Sequence, residues 1–119
     1  MGYYSTLSFE RTIKTNRSQE EINTLWEKFK SEQPEDRALF LEQYSFEKDT
    51  DGTIRLETED YCSKHYSDGE LAQFISTIIE EGHFILEFVG EDNSVWGYYI
   101  TPNSVKEIEY IRMVDGKLI

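Results

Sequence analysis

Cys62 and His65 stand three residues apart, a spacing that suits a thiolate–imidazole pair or two ligands of one metal. Neither chemistry is complete. A zinc site normally takes four ligands, and acyl transfer needs a nucleophile, a base and an oxyanion hole. The chain holds one cysteine and two histidines. It has no G-x-S-x-G, no P-loop glycines and no G-x-G-x-x-G. The pair therefore reads as a partly buried thiol beside a surface imidazole. The other histidine, His83, follows a helical pattern, where a cation suits the negative end of the dipole.

Glu47-Lys48-Asp49-Thr50-Asp51-Gly52-Thr53-Ile54 resembles the first eight positions of a calcium loop, with Gly at six and Ile at eight. Position one is Glu47 rather than Asp, however, and position twelve is Thr58, where a bidentate Glu belongs. Alternation on both sides favours a hairpin, and any calcium bound there would be held weakly. Adjacent carboxylates recur (Glu59 with Asp60, Glu80 with Glu81, Glu91 with Asp92). General acid–base work needs an enclosing pocket that shifts a pKa, and acids in loops and at helix ends are usually solvated. The expectation is a protein that is not an enzyme, with no catalytic residue, metal or cofactor.

Charge is the stronger signal. The 119 residues carry 24 acids and 12 bases, a formal charge of −12. The stretch 32–70 holds twelve of those acids against four bases, and so −8 of the total. Phosphate backbones are bound by Lys and Arg, so nucleic acid is a poor partner, and so is an anionic membrane. An acidic surface instead attracts basic proteins and speeds encounter with them. Asp49, Asp51, Glu57, Glu59 and Asp60 are the candidate partner-binding residues, carboxylates that can stand in for phosphates. The plainer reading of the same charge is solubility.

These residues sit in an alternating series of elements. Tyr3, Leu7, Phe9 and Ile13 share one face of a strand, with Ser8, Glu10 and Thr12 opposite. Ser18-Gln19-Glu20-Glu21 has capping-box form, and Ile22, Leu25, Trp26 and Phe29 follow at helical spacing, predicting a helix over 19–31 that Pro34 ends. Residues 35–44 fit either a short helix, with Leu39, Phe40 and Gln43 on one face, or a lead into the next strand. Residues 44–58 read as a hairpin about Asp49-Thr50-Asp51-Gly52. A second capping box at Ser67 opens a helix over 68–81, with Gly82 as its left-handed C-terminal residue. Phe84 to Val89 is nearly all apolar, as for a central strand buried on both faces. Val95–Thr101 and 105–114 are further strands, Asp115-Gly116 is a turn, and Lys117-Leu118-Ile119 fits a short edge strand. Trp26 belongs in a core; Trp96 fits core or surface.

The order β-α-β-β-α-β-β-β predicts one α+β domain over 1–119. It would be an antiparallel sheet with two helices on one face, a ferredoxin-like core with extra C-terminal strands. No run of apolar residues approaches the roughly 20 needed to span a bilayer. A lone cysteine allows no internal disulfide, which fits a cytoplasmic setting.

Met1-Gly2-Tyr3-Tyr4-Ser5, Gly90-Glu91-Asp92-Asn93-Ser94-Val95-Trp96-Gly97-Tyr98 and Val105-Lys106-Glu107-Ile108-Glu109 resemble segments of small bacterial and phage-borne proteins that have no established activity. In general type the chain is also similar to immunity proteins of toxin systems and to phage-encoded inhibitors, some of which mimic nucleic acid. The expected function is thus a non-catalytic domain that docks a basic protein. A homodimer through the tyrosine-bearing strands and a small-ligand-binding domain are the alternatives. Eight tyrosines, mostly on strands or in 59–66, suit an interface.

Overall fold

The computed structural model describes residues 3–10, 12–110, 113–114 and 117–118. Helix α1 (Gln19–Ser31) forms where its capping signal lies, and the Ser18 hydroxyl accepts from the Glu21 N–H at 3.1 Å. Its apolar stripe buries Ile22 and Trp26, with Leu25 and Phe29 packed at the margin. Pro34 does end α1, and its carbonyl then accepts from Arg37 and Ala38 to start α2 (Glu35–Leu41). The short-helix alternative is the correct one, but its inner face differs from the expected one. Leu41 is buried, whereas Leu39 stays 69% exposed.

The hairpin 44–58 is present as β3 (Tyr44–Lys48) and β4 (Thr53–Thr58). Gly52 closes its turn at φ +89°, a left-handed conformation that favours glycine. The N-terminal strand is split into β1 (Ser5–Glu10) and β2 (Ile13–Lys14). This split decides the architecture. β2 pairs with β4 and builds a three-stranded sheet, β2-β4-β3. β1 joins a five-stranded sheet with β5 (Cys62–Ser63), β6 (Phe84–Gly90), β7 (Val95–Thr101) and β8 (Ser104–Glu107), in the order β5-β1-β6-β7-β8. The α+β class and its antiparallel sheets carrying helices are as expected. The single ferredoxin-like sheet is corrected: the hairpin pairs with β2 instead of entering the sheet that holds β6.

Helix α3 (Asp68–Ile78) packs on β7 and β8, while α1 packs on β3, α2 and α3. Two expectations for α3 change. Ser67 makes no capping bond, because its hydroxyl donates to the Arg37 carbonyl. The helix also stops at Ile78, since the following segment turns to β2: Glu80 N–H donates to the Lys14 carbonyl, and Glu81 bridges Lys14. Gly82 is left-handed at φ +73°, but it serves the turn into β6.

A single buried cluster joins both sheets and the helices. Trp26 sits at its centre, 5.2 Å from the Phe46 ring and 4.7 Å from Phe74, with its indole N–H donating to the Tyr44 carbonyl at 3.2 Å. The strand expected over 105–114 breaks after Glu107, and β9 (Met113–Val114) pairs with β10 (Lys117–Leu118) as a separate two-stranded hairpin instead of extending the five-stranded sheet. Arg11, Ile111 and the expected turn Asp115-Gly116 lie outside the described residues. Among the described residues, no helix is long and apolar enough to cross a membrane.

Candidate functional site

The partly buried thiol and surface imidazole expected at Cys62 and His65 are reversed: Cys62 is exposed and His65 is only 3% exposed. His65 Nε2 faces the Tyr61 carbonyl at 3.2 Å and Nδ1 faces the Tyr44 hydroxyl. Both ring nitrogens are therefore engaged. Close by, Asp68 accepts from Trp96 Nε1 at 2.8 Å and from the Tyr98 hydroxyl at 2.6 Å. Burial first, and then the bond to Asp68, push the Tyr98 phenol up. Trp96 thus belongs to the core side, stacked on Phe88 at 5.6 Å.

The candidate acids do not converge. Asp49 and Glu57 both bind Arg55, whose guanidinium is held more strongly protonated by them. Asp51 accepts from the Thr53 N–H at 3.0 Å and hydroxyl at 2.6 Å, bonds that lower its pKa. Asp60 accepts from the Cys62 N–H, and Glu59 is exposed beyond β4. Asp51 and Asp60 lie past opposite ends of a six-residue strand, which spans about 17 Å. The structure brings together Asp49 and Glu57 around a neutralising arginine, and it places Asp51 past one end of the central strand β4 and Glu59 and Asp60 past the other.

A different surface stands out. On β6, Phe84, Leu86 and Phe88 face the core, so alternation turns Ile85, Glu87 and Val89 outward. The register aligns them with the outward residues of β7: Ile85 opposite Tyr99, Glu87 opposite Gly97, Val89 opposite Val95. Thr6 and Ser8 of β1 continue the same face, opposite Val89 and Glu87. Tyr4 precedes Thr6 at the same parity, with Lys64 Nζ 5.8 Å from its ring centre. Helix α3 covers the opposite side of this sheet. Both faces of β6 were expected to be buried; one is, and the other is open.

Tyr110 completes this face. Its hydroxyl donates to Glu87 Oε2 at 2.8 Å and lies where a Gly97 side chain would be. Burial and the Glu87 bond raise its phenol to about 12. Of the exposed large apolar side chains, Tyr4, Val89, Val95, Tyr99 and Tyr110 all belong to this one face, each between 38% and 45% exposed. His83 stacks on Tyr99 with ring centres 5.1 Å apart. By register Glu10 stands opposite Ile85 on this face too, so Glu10 and Glu87 are set against Lys64 and Lys106, a balance in a chain of −12. The five strands hold 26 residues in all, and at about 4.8 Å by about 3.3 Å each they make a face on the order of 400 Å², about half of the roughly 800 Å² per partner of a standard interface before its rim is added.

Gly97 tests this geometry. A Cβ there would lie 2.6 Å from the Tyr110 hydroxyl and 2.7 Å from the Leu86 carbonyl oxygen. The first neighbour can swing away, but the second is backbone. Gly97→Ala is expected to cost about 1–3 kcal/mol, read by urea unfolding, and to free the Tyr110 ring. An unchanged midpoint would mean that β6 and β7 are less closely apposed than described.

The tyrosine-bearing strands were expected to suit an interface, but the open side of β6 was missed because Phe84–Val89 looks nearly all apolar. The available signal was Glu87 inside that run, at the parity of Ile85 and Val89 and opposite a glycine. Compared with known proteins, the chain matches no family model, no curated protein and no solved structure.

Proposed function

We propose that this chain is a non-catalytic binding protein that docks a basic protein through the open face of its five-stranded sheet. The observation that carries this reading is the gathering of Tyr4, Val89, Val95, Tyr99 and Tyr110 on one uncovered, nearly charge-balanced face. Interface cores favour aromatic residues and disfavour charge. The tyrosines offer large area with polar tips. The chain's overall charge selects the occupant. A second copy would bring −12 against −12, whereas a basic protein is attracted and steered in. The acids of the hairpin, Asp49 and Glu57 included, then act at long range and need not touch the partner.

The test is affinity capture from a lysate of the source cell at low and high salt, with three baits. They are the wild type, a Val95→Glu/Tyr99→Glu double variant and an Asp49→Lys/Glu57→Lys double variant. Both double variants alter exposed or half-exposed side chains and should keep their folding midpoints. The expected result is one basic protein captured by the wild type and lost from the sheet-face variant. The hairpin variant retains it but becomes less salt-sensitive. Loss from the hairpin variant alone would overturn the sheet-face reading in favour of an acidic decoy. A dimer in light scattering that Val95→Glu/Tyr99→Glu abolishes would assign the face to a second copy.

A further inference from the structure

Burial favours the neutral form of the His65 ring, which is 3% exposed. A carbonyl only accepts, so Nε2 carries the hydrogen donated to Tyr61, and Nδ1 presents its lone pair to the Tyr44 hydroxyl, which donates. A second proton would sit at Nδ1, and the Tyr44 hydroxyl would then have to turn from donor to acceptor and lose the partner of its own hydrogen. The ring lies between Tyr44 of β3 and Phe88 of β6, with centres 5.7 Å and 5.4 Å away. The facing acids are Asp68 of α3, already engaged by Trp96 and Tyr98, and Asp60 on the connector that carries His65. Burial holds the His65 pKa below its ordinary value, outweighing the bond to the Tyr61 carbonyl and the charges of Asp68 and Asp60, all of which favour a charged ring.

The same ring fastens an edge. The Tyr61 carbonyl accepts both from His65 and from the Leu7 N–H, the latter at 2.7 Å. The adjoining strand β5 is two residues long and pairs only with β1. Segment 59–66 is tied at its ends, Glu59 and Lys64 to Gln43 and Tyr66 to Arg37 and Phe40, and between these ties the Tyr61 carbonyl and the two-residue β5 are held by His65 and β1.

We propose that His65 is an acid-sensitive latch: protonation loosens Tyr61 and β5 between those ties and uncovers the edge of β1. The sign follows from linkage. A histidine whose pKa is depressed in the closed form takes up its proton on opening, so the latch is fully effective above the free value of about 6.5 and weakens below it. One proton allows the opening equilibrium to rise by up to about tenfold per pH unit below that point. This inference does not depend on the docking role of the sheet, since the latch is read on the free protein.

The experiment is native-state amide exchange from pH 7.5 to 5, corrected for the intrinsic exchange rate. Leu7 reports the edge and Leu86 reports the core. Protection at Leu7 is expected to fall with pH below about 6.5 while Leu86 holds, and His65→Gln should flatten the Leu7 profile. The His65 Cε1–H resonance of the wild type gives an independent reading: it should titrate below the free-histidine value. A pH-independent Leu7, a Leu7 slope that survives in His65→Gln, loss shared equally by Leu86, or an ordinary His65 titration would each overturn the proposal.

Discussion

Replacing Trp26 by alanine is expected to lower the free energy of unfolding by about 3–5 kcal/mol. Trp26 is 4% exposed and touches aromatic rings from three elements: Phe29 of α1, Phe46 of β3 and Phe74 of α3. Truncation therefore opens a cavity where the two sheets and the helix pair meet. It also leaves the Tyr44 carbonyl without its indole donor, a further cost of about 1–3 kcal/mol where water cannot enter. The measurement is urea unfolding followed through Trp96, the remaining tryptophan. A loss below about 1 kcal/mol would mean that the sheets are stabilised independently, since core truncations of aromatic residues normally exceed that several-fold.

Asp68→Ala should cost about 2–4 kcal/mol, because hydrogen bonds to a charged acceptor are worth about 1.5–3 kcal/mol each and Asp68 takes two. These bonds tie the first turn of α3 to β7, so their loss loosens the helix from its sheet. Asp68→Asn keeps the shape and an acceptor oxygen, and neutral bonds are roughly half as strong. It should cost about half as much as the alanine. The red shift of Trp96 emission should track the loss of its N–H partner. Equal stability of Asp68→Ala and the wild type would show that water replaces the carboxylate at both donors.

Much of the fold was legible because local signals and tertiary environment agree. Ser18 and the stripe from Ile22 to Phe29 define α1 with its observed ends. Asp49 to Gly52 defines the hairpin turn, which closes with Asp49 N–H donating to Thr53 at 2.8 Å. The departures are places where a distant partner decides. Ser67 has a capping sequence, yet its hydroxyl donates to Arg37, thirty residues away. Residues 79–82 continue the helical pattern on paper, but pairing of Glu81 with Lys14 draws them out of the helix. The N-terminal strand alternates evenly in sequence, and nothing local marks that it serves two sheets.

The candidate site was less legible for a related reason. Alternation says which residues share a face, but not whether a helix covers that face. Ile85, Val89, Val95 and Tyr99 look like core until α3 is seen to lie on the other side. The acids fail in the converse way. Their number is plain in the sequence, whereas the role of Arg55 between Asp49 and Glu57 depends on the spatial arrangement of their side chains.

The central claim is that the open sheet face is the docking surface, and its most direct test is NMR mapping of the labelled chain against the captured basic protein. Valine methyl and tyrosine ring signals identify the face without any substitution. The account predicts that Val89, Val95, Tyr4 and Tyr99 shift or broaden on binding, while backbone signals of 45–60 stay in place. Unmoved signals at those four residues, with shifts confined to Asp49, Asp51, Glu57, Glu59 and Asp60, would contradict it.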